Sequence, residues 1–280
     1  MNEYALLYLD SALARGTPEA FFSLLFLGLG RILPIIQLSP FFGSRTLPLP
    51  AKVAFGIALF GVFFPSMVVN MTEPVYFNAR FVLLILKEAF VGFSLGMLMA
   101  APFSIAQNVG MIIDHQRGGA SLMVNDPTIQ NQSSPLGTLF NLVLICVFYY
   151  INGPFYFIDA ISKAYEIVPP DHLINPTFFN ASNPFWIEMI RYLNSVMVIT
   201  IQLVAPPLIV TLMTDMFLGI INRLAPQVQI IFLGLPLKSL LALFMIFLGY
   251  KAYNEQTVVV IFQYFEKIKQ ALYGLALGHY

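Results

Sequence analysis

Cysteine is almost missing from this sequence: Cys146 stands alone in 280 residues, so neither an internal disulfide nor a thiolate metal cluster can form. Charge is scarce as well. Fourteen basic and fourteen acidic side chains make up 10% of the chain, where a soluble domain carries about 25%. The formal net charge is zero and basic residues never gather in a run, which excludes nucleic-acid binding through phosphate neutralisation. The histidines His115, His172 and His279 stand apart, with no second ligand three or four positions on, so nothing points to a metal site. No phosphate-cradling glycine loop occurs, and no cofactor is implied. The opening residues Met1-Asn2-Glu3-Tyr4 lack the basic region of a secretory leader, and Asp10 interrupts the apolar stretch such a leader needs. Insertion is therefore expected to rely on internal segments.

What the chain has instead is apolar length. The apolar set accounts for 58% of residues, against roughly 45 to 50% by the usual counting in soluble domains, which excludes a water-soluble monomer. Six long apolar stretches stand out, at 21–40, 53–71, 81–106, 138–161, 187–222 and 230–253. Each supplies the roughly 20 residues that a helix needs to cross about 30 Å of hydrocarbon. A β-barrel would show alternating segments of about ten residues, and these runs are continuous. The expected class is all-α and polytopic, with residues 1–254 as one domain.

Proline and charge interrupt that pattern. The stretch 187–222 would extend about 54 Å as one helix, too long for a straight span. Pro206 and Pro207 fall near its middle and remove two backbone donors, so two shorter helices meeting at a bend are expected. Pro34, Pro65, Pro102, Pro154 and Pro236 are read as interrupting or ending other stretches in the same way. Arg31, Lys87, Glu88, Asp215 and Lys238 lie within apolar runs, where ionisable groups mark a polar path or a subunit contact. Snorkelling of Arg31 and Lys87 to an interface is the plainer alternative. Adjacent Lys87 and Glu88 point about 100° apart on a helix, so each is expected to find its partner on another helix or in water. Glu188 and Arg191, three apart, can pair locally.

Four further features complete the reading. Gly92-Phe93-Ser94-Leu95-Gly96 matches a nucleophile-elbow pattern in the wrong context, in the middle of an apolar run; its two glycines read better as a close-packing helix face. The segment 107–137 is the most polar in the interior and long for a plain connector, so a loop lining or occluding a passage is expected there, with an extramembrane cap as the alternative. At the end, apolar positions 261, 265, 268, 272 and 275 define an amphipathic helix within 255–280, suited to a membrane surface or a partner. Basic residues divide almost evenly between the two sides, Arg15, Arg80, Lys163, Lys267 and Lys269 against Arg45, Lys52, Arg117 and Arg223, too evenly to set orientation.

Several strings taken in order resemble a known family. They are Asp114-His115-Gln116-Arg117-Gly118, Asp126-Pro127 and Ser134-Pro135-Leu136-Gly137 in the centre. Further along come Ala205-Pro206-Pro207, Asp215, Gly219, Arg223, Ala225-Pro226-Gln227 and Leu235-Pro236-Leu237-Lys238. Arg31, Pro40, Pro48 and Lys52 also fit. Together, over about residues 20–250, they resemble the type III secretion export-apparatus family SctT, whose flagellar relative is FliR; the Gln-Arg-Gly form is nearer the injectisome branch.

That resemblance implies a non-enzymatic subunit of an export gate in the bacterial inner membrane. Its expected partners are SctR-like and SctS-like subunits, an SctU-like switch protein, an SctV-like export-gate protein and the secretion needle base. Unfolded proteins would pass through, and bent helices and hairpins would pack in a helical hetero-oligomer. The resemblance puts a gate or plug loop at 107–137, with Asp114, Gln116, Arg117, Gly118, Asp126 and Pro127 as its candidate residues. Arg31, Lys87, Glu88, Asp215, Arg223 and Lys238 become candidates for subunit contacts or a polar path, and Pro102, Pro206, Pro207 and Pro236 for helix breaks. A secondary transporter with broken helices, carrying protons or sodium on Asp215 or Glu88, is the competing reading. An intramembrane hydrolase would rest on Ser94 alone.

Overall fold

The computed structural model describes residues 18–42, 47–71, 75–118, 134–173, 178, 180, 183–227, 234–249, 251 and 255. Among them there is no strand. Seven helices follow in order: α1 Pro18–Leu38, α2 Leu49–Asn70, α3 Ala79–Gln116, α4 Pro135–Tyr150, α5 Gly153–Ile167, α6 Pro184–Leu224 and α7 Gly234–Gly249, with a 3-10 turn at Pro40–Phe42 after α1. α1, α2, α3 and α6 are each long and apolar enough to cross a membrane, and α4 with α5 would make a fifth span if counted together. The expected polytopic all-α class is therefore what the chain adopts.

Helix starts follow local chemistry. Asn78 opens α3 by accepting the N–H of Phe81 at 3.0 Å, and Asn183 opens α6 by accepting that of Phe185 at 2.9 Å. Pro184 and Pro135 then occupy first helical positions, where a missing N–H costs nothing. Between α4 and α5 the chain breaks at Ile151–Asn152, where Asn152 takes a left-handed φ of 60° and Pro154 sits in the first turn of α5.

The chain forms two compact units. Among the described residues, the first takes those up to Ala100 and from Ile151 to Tyr192; the second takes Ala101 to Tyr150 and those from Leu193 on. In the first unit, Leu24, Leu27, Ile32, Ile35 and Ile36 recur at helical spacing on α1 and are fully buried. They share a core with Phe60, Phe63 and Met67 of α2, Val91 and Leu95 of α3, and Phe157 and Ile161 of α5. Backbones come very close in this unit: a Cβ on Gly92 would lie 2.2 Å from the Arg31 carbonyl oxygen, and one on Gly96 3.1 Å from the Ile35 Cα. The two glycines are thus the close-packing face that their spacing suggested.

The second unit repeats the principle with other residues. Leu136, Phe140, Leu144 and Phe148 form a buried stripe of period four on α4, and Phe103, Val109 and Ile113 of α3 are buried in the same unit. Phe103 and Phe148 meet edge to face at 5.5 Å. Gly110 and Gly137 let α3 and α4 touch, since a Cβ on Gly110 would fall 2.3 Å from the Gly137 nitrogen.

Four expectations need correction. First, Pro206 and Pro207 do not divide the fifth stretch: Pro184–Leu224 is one 41-residue helix. Pro34, Pro65 and Pro102 likewise lie inside continuous helices. A proline deletes only its own donor, and the ladder resumes on either side wherever the freed carbonyl finds a substitute. At Pro102 that substitute is visible: the freed carbonyl is that of Leu98, and the buried Tyr192 hydroxyl donates to it, with the Met97 carbonyl at 3.1 Å. Pro236 falls in the first turn of α7.

Second, the stretch 138–161, taken as one, is broken at Ile151–Asn152. Third, residues 107–116 are the end of α3 rather than loop, because Val109 and Ile113 continue the buried face one turn apart. Fourth, Glu88 finds Arg31 on another helix as expected, but Lys87 and Glu88 also pair directly, Nζ to Oε1 at 2.6 Å; a four-carbon stem spans the 100° that separates neighbouring Cβ positions. Positions 261–275 of the expected amphipathic tail lie outside the described residues, as do Asp126 and Pro127.

Candidate functional site

Four buried charged side chains of these helices, Arg31, Lys87, Glu88 and Asp114, meet their partners at two junctions, one in each unit. In the first, Arg31 of α1 is fully buried and grips Glu88 of α3 with two parallel bonds, Nε to Oε2 at 2.6 Å and Nη2 to Oε1 at 2.8 Å. Its remaining reach goes to the end of α5: Nη1 donates to the Ala164 carbonyl at 2.8 Å and Nη2 to that of Val168 at 2.7 Å. The guanidinium also lies over the Tyr165 ring, 4.2 Å from its centroid. Lys87 donates to the carbonyls of Pro169 at 2.7 Å and Pro170 at 3.2 Å while contacting Glu88. Arg31 thus covers carbonyls of the last turn and C-cap of α5, where the helix dipole is negative, and Lys87 those of the two prolines that follow, with one carboxylate between the two cations.

The sequence placed Arg31, Lys87 and Glu88 as a subunit contact or polar path. Their partners lie in the same unit of the same chain, and neither Arg31 nor Lys87 snorkels: they are 0% and 5% exposed. An arginine whose donors are spent on a carboxylate and two carbonyls is the arrangement that makes a buried charge tolerable.

The second junction centres on Asp114, fully buried in the last turns of α3. Oδ1 takes Arg117, with Nη2 at 2.6 Å and Nε at 2.7 Å. Oδ2 accepts the Ser134 hydroxyl and the Leu136 N–H, the latter at 2.9 Å. Arg117 reaches on to Ser239 of α7, Nη1 to Oγ at 3.1 Å. Gly118 follows with φ 88°, ending α3 in the left-handed conformation that glycine adopts without penalty. Gln116 is half-buried in the final helical turn and His115 exposed. The structure therefore joins Asp114 and Arg117, two of the expected loop residues, and adds Ser134, Leu136 and Ser239. The Ser-Pro helix start at 134–135 was a legible capping signal; nothing local marked Ser239.

The other expected site residues divide. Lys238 of α7 pairs with Asp215 of α6, while Arg223 stands exposed in the last turn of α6. Glu188 and Arg191 pair locally as expected. Glu88 and Asp215, the carboxylates a cation carrier would use, are both engaged by basic side chains. The Ser94 hydroxyl is buried and donates to the Phe90 carbonyl of its own helix at 2.9 Å, an ordinary helical back-bond. Among the described residues no group of three His, Cys, Asp or Glu could hold a metal ion.

Residues 22–264 match the family model described as bacterial export proteins, family 1. The chain belongs to this family. Among its relatives, the surface presentation of antigens protein SpaR of Shigella sonnei is 33% identical over 229 residues, 81% of this chain and 79% of the relative. The Yop proteins translocation protein T of Yersinia pestis is 30% identical over 161 residues, 57% of this chain and 60% of the relative. The flagellar biosynthetic protein FliR of Bacillus subtilis is 26% identical over 207 residues, 74% of this chain and 78% of the relative. This bacterial export protein thus stands in the FliR/SctT family, with higher identity to SpaR and to the Yop proteins translocation protein than to the flagellar relative. Both junctions fall within the matched residues.

Proposed function

We propose that this chain is a structural, non-enzymatic subunit of a type III secretion export gate. It packs with SctR-like and SctS-like subunits around an entry channel for unfolded proteins in the bacterial inner membrane. An SctU-like switch protein, an SctV-like export-gate protein and the needle base are its further neighbours.

The observation that carries the reading is α6. Its 41 residues extend about 61 Å, twice the roughly 30 Å of bilayer hydrocarbon. Even tilted by about 40°, at the upper end for spans, a helix keeps only about 39 Å of its path within the hydrocarbon. Yet large apolar side chains are exposed along all of it, from Ile187, Ile190 and Met197 to Met216, Phe217 and Leu224. Lipid tails cannot cover that length, and water is excluded as a partner by the apolar surface itself. Sibling polypeptides cover what lipid does not.

On this reading the connector between α3 and α4, with Asp126 and Pro127, helps plug the channel. Asp215, Lys238 and Arg223 face the assembly, and the tail 255–280 docks as an amphipathic helix. Co-expression with SctR-like and SctS-like proteins tests it: a detergent-stable complex should purify, whereas the chain alone should aggregate. A monodisperse, stable monomer recovered without partners would overturn the proposal.

A further inference from the structure

The junction at Asp114 accounts for every backbone donor at the start of α4. Pro135 has none. The N–H of Leu136 goes to Asp114 Oδ2, that of Gly137 to the Ser134 hydroxyl at 2.9 Å, and that of Thr138 to the Ser134 carbonyl at 2.9 Å. The same carboxylate holds Arg117 through its other oxygen, and Arg117 holds Ser239. One turn before Ser239 on α7 is Leu235, whose Cδ2 lies 2.3 Å from where a Cβ on Gly118 would be. Both ends of the connector from 117 to 134 are thus held on one buried side chain.

We infer that Asp114 is a positioning residue for the closed export channel. It fixes the end of α3, the start of α4 and, through Arg117, the first turns of α7 in one register. The inference rests on the export-gate reading. The chemistry requires an anion with two acceptor oxygens: one face caps the positive end of a helix and the other neutralises an arginine. An arginine at 114 could restore the ion pair against an aspartate at 117, but it has no acceptor for the Leu136 N–H. The two duties are therefore separable by experiment.

The test uses the co-purified assembly, with two readouts: ion conductance in planar bilayers and amide exchange across residues 134–138. Shortening the connector by removing 121–130 serves as the reference for channel leak. Asp114→Asn and Ser134→Ala should each raise conductance several-fold and speed exchange at the start of α4 by about tenfold, the loss of a helix cap. The swap Asp114→Arg with Arg117→Asp should leave both effects in place. Rescue by the swap would show that the ion pair alone matters and would overturn the inference.

If the shortened connector leaks while Asp114→Asn and Ser134→Ala stay tight with native exchange, the positioning role fails and the channel reading stands. If the shortened connector does not leak while conductance and exchange both rise in the two variants, the plug reading fails and the positioning role stands. Should Asp114→Asn not assemble, Ser134→Ala, which keeps the carboxylate and the ion pair, still decides: native conductance and exchange in it overturn the inference.

Discussion

The two polar junctions solve one problem with opposite charge. In the first unit the groups needing partners are carbonyls at the end of α5 and just beyond it, and two cations meet them, with Glu88 placed between to offset their repulsion. In the second they are N–H groups at the start of α4, and a carboxylate meets them, with Arg117 to neutralise it. The sign follows the helix dipole in each case. The junctions also differ in how closed they are. Arg31 and Glu88 are wholly buried, whereas the Arg117 side chain keeps 14% of its surface open. A charge that can turn to solvent loses less when its partner is removed.

That difference ranks the expected effects of substitution. Glu88→Gln leaves Arg31 and Lys87 side by side without a neutralising carboxylate in a closed site. Equilibrium unfolding in detergent should show a loss of about 3 to 5 kcal/mol, the range for breaking a buried pair. A loss below about 1 kcal/mol would mean that water reaches the junction and the contrast with Asp114 is smaller than drawn. Gly92→Ala should come next, at about 1 to 3 kcal/mol, because the added methyl meets the backbone of Arg31 rather than a movable side chain. Gly61→Ala in α2 is its control: nothing lies within 4 Å of the new Cβ, so the variant should gain up to about 1 kcal/mol from helix propensity. Equal signs for the two would break the close-packing account.

Ser134→Ala, in the more open junction, should cost about 1 kcal/mol in the same unfolding measurement, the usual loss of a cap. Arg191→Ala should be smallest, under about 0.5 kcal/mol, since its pairing with Glu188 is local and 64% of the arginine side chain is exposed. A larger loss at Arg191 would indicate that this side chain engages a neighbour in the assembly.

Much of the architecture was legible beforehand. Continuous apolar runs gave helices at all six places because burial in lipid or protein leaves the backbone no other partner than itself. Gly92 and Gly96 declared their packing face by spacing. Proline was over-read: its lost hydrogen bond is a local deficit, and whether it breaks a helix depends on a remote donor such as Tyr192 at Leu98. The polarity of 107–116 suggests loop, yet Asp114 there is a buried helical residue with its acceptors filled by residues about 20 positions away.

Length, apolar continuity and helical period determined by themselves that this chain would be a bundle of long membrane-type helices, since those properties act between residues a turn or two apart. Which charges meet was decided only in three dimensions. Arg31 finds Glu88 57 residues away and the Ala164 carbonyl 133 away; Arg117 finds Ser239 at 122. A buried charge is satisfied by whatever the packing brings within about 3 Å, and no local pattern in a sequence encodes that distance.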